Sequence, residues 1–296
     1  TKFQDVFGRT LCELAAENKA IVGITPAMVT GSSLHYMQQQ FPARTFDVGI
    51  AEEHAVTFAA GLATQGLLPF LVIYSTFLQR GYDQLIHDVA LQQLKVIFCI
   101  DRAGLVGEDG ATHQGVFDIA YLRCIPHIEI AAPRNEVELR NMLYTAQLPE
   151  QDKALAIRYP RGYGRLTSWQ FPYEKIEKTG VQLRKGTRYA VLSVGTIADE
   201  VAQEIERHPK AEIFSHYDMR WIKPLDEALL HQVMSQYEAI ITVEEGCKLG
   251  GFGESVVVFA KEKGYSLPIK IVAIADVFVE HGSLALQRAF TGLTHF

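Results

Sequence analysis

The chain has 296 residues, of which 48% are hydrophobic and 21% charged, and its formal net charge is −6 at pH 7. That balance fits a folded chain of two domains and excludes disordered, collagen-like and coiled-coil classes. The longest apolar run, Leu67 to Tyr74, is far short of the ~20 residues of a membrane span, and the acidic balance argues against non-specific nucleic-acid binding, so the expected partners include no membrane and no nucleic acid.

Taken in chain order, Phe3, Val6, Phe7, Leu11 and Leu14 fall on one face of a first helix. A short apolar run, Ala20 to Ile24, ends in a Thr-Pro break. Strands are then predicted near 44–48, 68–74, 95–100, 128–132 and 154–159, with helices at 52–65, 76–92 and 135–147. Strands alternating with helices of this length indicate βαβ units and a parallel sheet. Val96 to Ile100 is the continuous apolar run of a strand covered on both faces. From Pro160 the rhythm breaks: Gly162, Gly164, Pro172, Gly180 and Gly186 punctuate a stretch without apolar period, expected to cross a surface between two units. A second unit follows, with strands at 189–194, 211–216, 238–243 and 269–274 and a helix at 197–207. The expected fold class is α/β, two consecutive open, mainly parallel-sheet domains, at 1–167 and 188–296, joined by a linker at 168–187.

Cysteines at 12, 99, 124 and 247 form no C-x-x-C pair, which leaves metal ribbons and redox motifs unsupported. Cys99 reads as a buried core thiol, and a reduced, cytosolic setting is expected. The chain opens Thr1-Lys2-Phe3, with no initiator Met and no signal-peptide pattern, and is expected to be a piece of something longer.

Four segments carry chemistry. In Val48-to-Ala55 a strand gives way to a helix whose first turn holds Glu52, Glu53 and His54. Acids suit a helix N-terminus, but Glu52 also precedes an unusually apolar helix, where a poorly solvated carboxylate can share a proton with a ligand nitrogen. Tyr74, Phe77 and Arg80, spaced i, i+3, i+6, follow a strand at the edge where open α/β sheets bind ligands. The alternative for them is ordinary helix packing. Asp101 to Gly115 leaves a strongly apolar strand with four glycines among Asp, Arg, Glu and His, which is more than a connector needs. Arg158-Tyr159-Pro160-Arg161-Gly162 ends the last strand of the first unit, with Arg161 either a phosphate fork or a surface charge. Glu108-Asp109-Gly110 with Asn135 imitates a metal–pyrophosphate motif but lacks its first glycine and lies too far past its strand, so no metal ligand is assigned. Gly250 to Ser255 opens a helix that either holds an anion or packs closely.

Together, Val48-to-Thr57, Ile73-to-Asp83, Ile100-to-Gly115, Tyr121-to-Pro126, Arg158-to-Gly162, Asp218-to-Asp226 and Thr242-to-Gly246 occur in the order and spacing of one family. The sequence resembles the 1-deoxy-D-xylulose-5-phosphate synthases, thiamine-diphosphate enzymes of the transketolase group. The resemblance implies the pyrimidine-binding and C-terminal domains, without the N-terminal domain that binds the diphosphate and Mg2+. It implies a homodimer that decarboxylates pyruvate and joins the remainder to glyceraldehyde 3-phosphate, a step toward isoprenoids and thiamine. By the same resemblance Glu52 bonds the pyrimidine ring nitrogen and favours the imino tautomer, Phe77 packs on the pyrimidine with Arg80 beside it, and Arg102 and Arg161 hold the substrate phosphate. Tyr74 and Asp109 line the substrate pocket, and His113 bonds substrate oxygens and moves protons. Glu53 stands where the family more often has Gln. Such a chain is expected to be inactive alone. The competing readings are a beta-type subunit of a 2-oxo acid dehydrogenase and a non-enzymatic α/β module.

Overall fold

The computed structural model describes residues 1–293. The first unit runs α1 (Phe3–Glu17), β1 (Ile21–Thr25), α2 (His35–Gln40), β2 (Thr45–Asp47), α3 (Glu52–Thr64), β3 (Leu68–Tyr74), α4 (Ser75–Leu78), α5 (Tyr82–Gln84), β4 (Ile97–Asp101), α6 (Asp118–Arg123), β5 (Ile128–Ala131), α7 (Glu136–Gln147) and β6 (Ala154–Arg158). The second runs β7 (Val181–Arg184), β8 (Tyr189–Val194), α8 (Ala198–Arg207), β9 (Phe214–Asp218), β10 (Trp221–Lys223), α9 (Glu227–Gln236), β11 (Ala239–Cys247), α10 (Phe252–Glu262), β12 (Ile269–Ile274) and α11 (Leu284–Thr291). The α/β class holds: a seven-stranded sheet in the order β10-β5-β6-β4-β3-β1-β2 and a five-stranded sheet in the order β12-β11-β8-β9-β7.

The central strands of the first sheet are apolar without interruption because both faces are covered. Their alternation sorts side chains between two cores. Leu71, Ile73, Phe98, Ile100, Ala154 and Ala156 face one with α3, and that core continues into the second unit through Leu192, Met219 and Phe252. Phe70, Val72, Ile97, Cys99, Leu155 and Ile157 face the other, with α1 and α7. Cys99 is fully buried and free.

Three elements depart from the sequence reading. The helix expected at 76–92 is broken into α4, a 3-10 turn, α5 and a π-helical segment, Leu85–Ala90. Gly81 leaves helical geometry (φ −94°, ψ 18°) where the chain passes against α3, and a Cβ there would lie 2.8 Å from Val56 Cγ2. Within the stretch expected to be linker, Trp169 and Ile176 are buried against the α1–α7 core, and Val181–Arg184 forms an antiparallel edge strand on β9. As an edge strand it stays half-exposed and carries no strong apolar pattern. Third, Trp221–Lys223 from the second unit pairs antiparallel with β5 and so extends the first sheet. Among the described residues no helix is long and apolar enough to cross a membrane.

Candidate active site

Strands β3, β4 and β6 run parallel, so Tyr74, Asp101 and Arg158 emerge side by side at the carboxyl edge of the first sheet. The four sequence segments meet there. Glu52 starts α3, buried at 4% exposure, while its neighbour Glu53 is exposed and turned to solvent. The helix start orients the carboxylate, and its Oε1 accepts from Arg80 Nη1 at 2.8 Å. That contact occupies one oxygen and leaves Oε2 for a ligand donor.

Arg80 also lies over the Phe77 ring, 5.5 Å from its centroid. Phe77 in turn stacks on Tyr74 (5.4 Å between centroids, 11° between planes) and meets His113 edge-on at 5.7 Å. The Arg102 guanidinium covers the Tyr74 ring at 4.1 Å. Arg102 sits at φ +57°, a strained conformation for a residue with a Cβ. Buried Asp101 holds it there, accepting the Arg102 backbone N–H at 2.7 Å and Nη1 at 2.5 Å. Nη1 also donates to Gly31 O at 3.0 Å. Burial raises the Asp101 carboxyl to about 6 despite the adjoining guanidinium.

On the far side, Arg161 Nε pairs with Asp109 Oδ2 at 3.2 Å, and its Nη1 donates to Val106 O at 3.2 Å. Burial raises the Tyr74 phenol, and the charges acting on it belong to Arg102, Asp101, Asp109 and Arg161. Tyr74 thus lies under Arg102 and within electrostatic reach of the Arg161–Asp109 pair. Six candidates, Glu52, Arg80, Phe77, Tyr74, His113 and Arg102, form one run of contacts at the sheet edge, and Asp109 and Arg161 pair with each other beside it. The Arg161–Asp109 pair is more than a third exposed on both sides, so holding it closed contributes little and an incoming anion meets a weak competitor.

Sequence reasoning missed three supporting groups. Asp101 was legible as an acid ending an apolar strand. Arg158, in the same motif as Arg161, is buried and forms a two-point pair with Asp118, Nε–Oδ2 2.8 Å and Nη2–Oδ1 3.1 Å. The anion at the glycine-rich start of α10 is the chain's own Glu244, whose carboxylate accepts from Phe252 N at 2.8 Å and Gly253 N at 2.7 Å.

Burial pushes the Glu244 carboxyl from 4.5 to about 7, although those two backbone N–H groups pull it down. An acid raised on folding holds its proton longer in the folded state, so its contribution to stability is full below about pH 4.5 and is lost as pH rises through about 7. Glu244→Gln cannot ionise. The stability of the parent relative to this variant is therefore expected to be greatest near the acid end of that window and to shrink toward pH 8. Urea unfolding midpoints of both proteins at pH 5 and 8 measure it; a pH-independent difference would reject the assignment.

Two family models match: the transketolase pyrimidine-binding domain over residues 1–166 and the transketolase C-terminal domain over 178–295. Among curated relatives, the 1-deoxy-D-xylulose-5-phosphate synthase of Cytophaga hutchinsonii is 51% identical over 286 residues, covering 96% of this chain and 45% of that protein. The synthase of Parabacteroides distasonis is 52% identical over 284 residues, covering 95% of this chain and 45% of that protein. The chain thus spans less than half the length of the curated relatives it matches. Among solved structures, a split-gene transketolase described as an inactive beta4 tetramer superposes with a TM-score of 0.85 at 27% identity, covering 99% of this chain and 94% of that one. A Campylobacter jejuni transketolase, at 18% identity and a TM-score of 0.80, covers 99% of this chain and 45% of that one and shares the fold.

Proposed function

The chain belongs to the transketolase family, and we propose that it supplies the pyrimidine half of a thiamine-diphosphate site that makes 1-deoxy-D-xylulose 5-phosphate from pyruvate and glyceraldehyde 3-phosphate. The observation that carries this reading is the unbroken run of contacts Glu52–Arg80–Phe77–Tyr74–Arg102 at the carboxyl edge of one sheet. Identity near 50% to named synthases supports the choice of substrates.

The residues fit the cofactor's pyrimidine: a buried carboxylate with one oxygen uncommitted, beside an aromatic ring, is the donor set that an aminopyrimidine requires. Thiamine diphosphate, when bound, would supply the carbon nucleophile that decarboxylation of a 2-oxo acid and carboligation require. Glu52 holds at Oε2 the proton shared with the ring nitrogen, and Arg80 fixes the carboxylate through Oε1. Phe77 gives the pyrimidine an apolar wall. Arg102 and Arg161 take the aldehyde's phosphate, where planar guanidinium donors suit its oxygens. Tyr74 and Asp109 line the pocket between them, and His113 donates to or accepts from substrate oxygens. Mg2+ and the diphosphate belong to a further domain of the same enzyme, which works as a homodimer in the cytosol.

The 296-residue chain alone is expected to give no turnover with pyruvate and glyceraldehyde 3-phosphate. A protein described as an inactive beta4 tetramer, of closely similar extent, supports that expectation. Adding the N-terminal half of a full-length synthase is expected to restore CO2 release and product formation. Turnover by the chain alone would reject the half-site reading. CO2 release that needs a lipoyl acceptor would favour the 2-oxo acid dehydrogenase subunit instead.

A further inference from the structure

The loop from Asp101 to Gly115 carries Arg102, Asp109 and His113, yet the first unit does not hold it alone. Gln287, on α11 of the second unit, is only 3% exposed. Its Oε1 accepts from Gly107 N at 2.9 Å, and its Nε2 donates to Gly107 O at 2.9 Å and to Glu280 O at 2.8 Å. One side-chain amide therefore grips both backbone groups of the residue that starts the Gly107–Asp109 turn. Gly107 sits at φ +72°, a conformation that only the loop's surroundings select. Gly282 N reinforces the grip from the segment before α11, donating to the same carbonyl at 3.3 Å. A second clamp mirrors the first: Gln114 Oε1 accepts from Val106 N at 2.9 Å while its Nε2 donates to Val279 O at 3.1 Å. Arg288, next to Gln287, anchors α11 to β11 through Glu245 Oε1 at 2.6 Å. Val106 O, between the clamps, is also the acceptor for Arg161 Nη1.

We infer that Gln287 is a positioning residue for the aldehyde-phosphate pocket, holding the Gly107–Asp109 turn so that Asp109 and Arg161 keep their places. The C-terminal unit thus tunes the acceptor side of a site built on the first sheet. The inference rests on the proposed function for the identity of the ligand, and on the hydrogen bonds alone for the clamp. It separates the two substrates: the clamp touches the turn that carries Asp109, while Glu52 and Phe77 stand on α3 and α4.

The test is Gln287→Met, which keeps the side chain's length and removes its hydrogen bonds, in an enzyme assembled with its diphosphate-binding half. KM for glyceraldehyde 3-phosphate is expected to rise about tenfold, the scale of one or two lost hydrogen bonds, with KM for pyruvate unchanged. Amide hydrogen exchange is expected to quicken at 105–110 and not in β3 or β4, which also reports that the variant folds. Equal effects on both KM values, or unaltered exchange at 105–110, would overturn the inference. Arg161→Met is measured beside it: a raised aldehyde KM there with none in Gln287→Met sinks the positioning role alone. No effect in Arg161→Met sinks the pocket reading and the inference with it.

Discussion

In the assembled enzyme, Glu52→Gln is expected to lower kcat by roughly 10²–10⁴-fold, the span of a lost proton-transfer partner, with KM for glyceraldehyde 3-phosphate nearly unchanged. The substitution keeps the volume of a residue that is 4% exposed and leaves an oxygen for Arg80 Nη1, so packing and the 2.8 Å contact survive. What disappears is the carboxylate's ability to hold and pass a proton. Glu52→Ala adds a second defect, because it strips Arg80 of its partner at the mouth of the site. Glu52→Asp retracts the carboxylate by one methylene and is expected to fall between the parent and Gln. Steady-state kinetics with both substrates, beside urea midpoints for each variant, separate chemistry from folding. A Gln variant with the parent's kcat would remove Glu52 from the proton path. Glu53→Gln serves as the control, since that side chain is exposed and is expected to change little.

The same edge shows why so much of the site was readable from local pattern and why its supports were not. Apolar runs such as Ile97–Ile100 announce a covered parallel strand, and a charged residue directly after such a run must leave the sheet at its carboxyl edge. Tyr74, Asp101 and Arg158 are therefore placed by the strands they end, and a local reading finds that neighbourhood. It does not find which distant groups close on it. The contribution of β10 to the first sheet is a three-residue pairing across ninety positions of chain, with no period of its own. Gln287 looks like any polar residue on an amphipathic helix until Gly107 is seen against it. The glycine-rich start of α10 leaves anion binding and close packing both open, and the fold shows both: Glu244 accepts from Phe252 N and Gly253 N, while Gly253 lies tight against Thr242 and Ile271. Breaks in helical geometry, such as Gly81 against α3, likewise follow from a close tertiary approach that composition does not encode.

Asp118→Ala is expected to cost about 3–5 kcal/mol of stability, the usual consequence of stranding one charge of a buried pair. Asp118 is fully buried and Arg158 is 5% exposed, so water cannot replace the lost carboxylate. Arg158 Nη2 also donates to Glu245 O at 3.2 Å and, at the long end of hydrogen-bond range, to Gly115 O at 3.4 Å, which ties β6 to the site loop and to β11 of the second unit. An unpaired guanidinium there pulls on both. If the cost comes from the stranded charge, Asp118→Ala combined with Arg158→Met is expected to be more stable than Asp118→Ala alone, because no buried charge is then left without a partner. If it comes from the lost links to Gly115 and Glu245, the double variant is expected to be the worse of the two. Urea unfolding of the parent, both single variants and the double variant decides between these outcomes. A loss below about 1 kcal/mol for Asp118→Ala, the range of exposed pairs, would show that solvent reaches the site after all. Arg161, in the same five-residue motif, has a side chain 38% exposed and an equally exposed partner, so Arg161→Met is expected to leave stability nearly intact while weakening substrate. The two arginines of one motif thus divide by burial: the one that ends the strand is buried and holds the fold together, and the one three residues on is left half-exposed beside Asp109, open to the phosphate we propose for it.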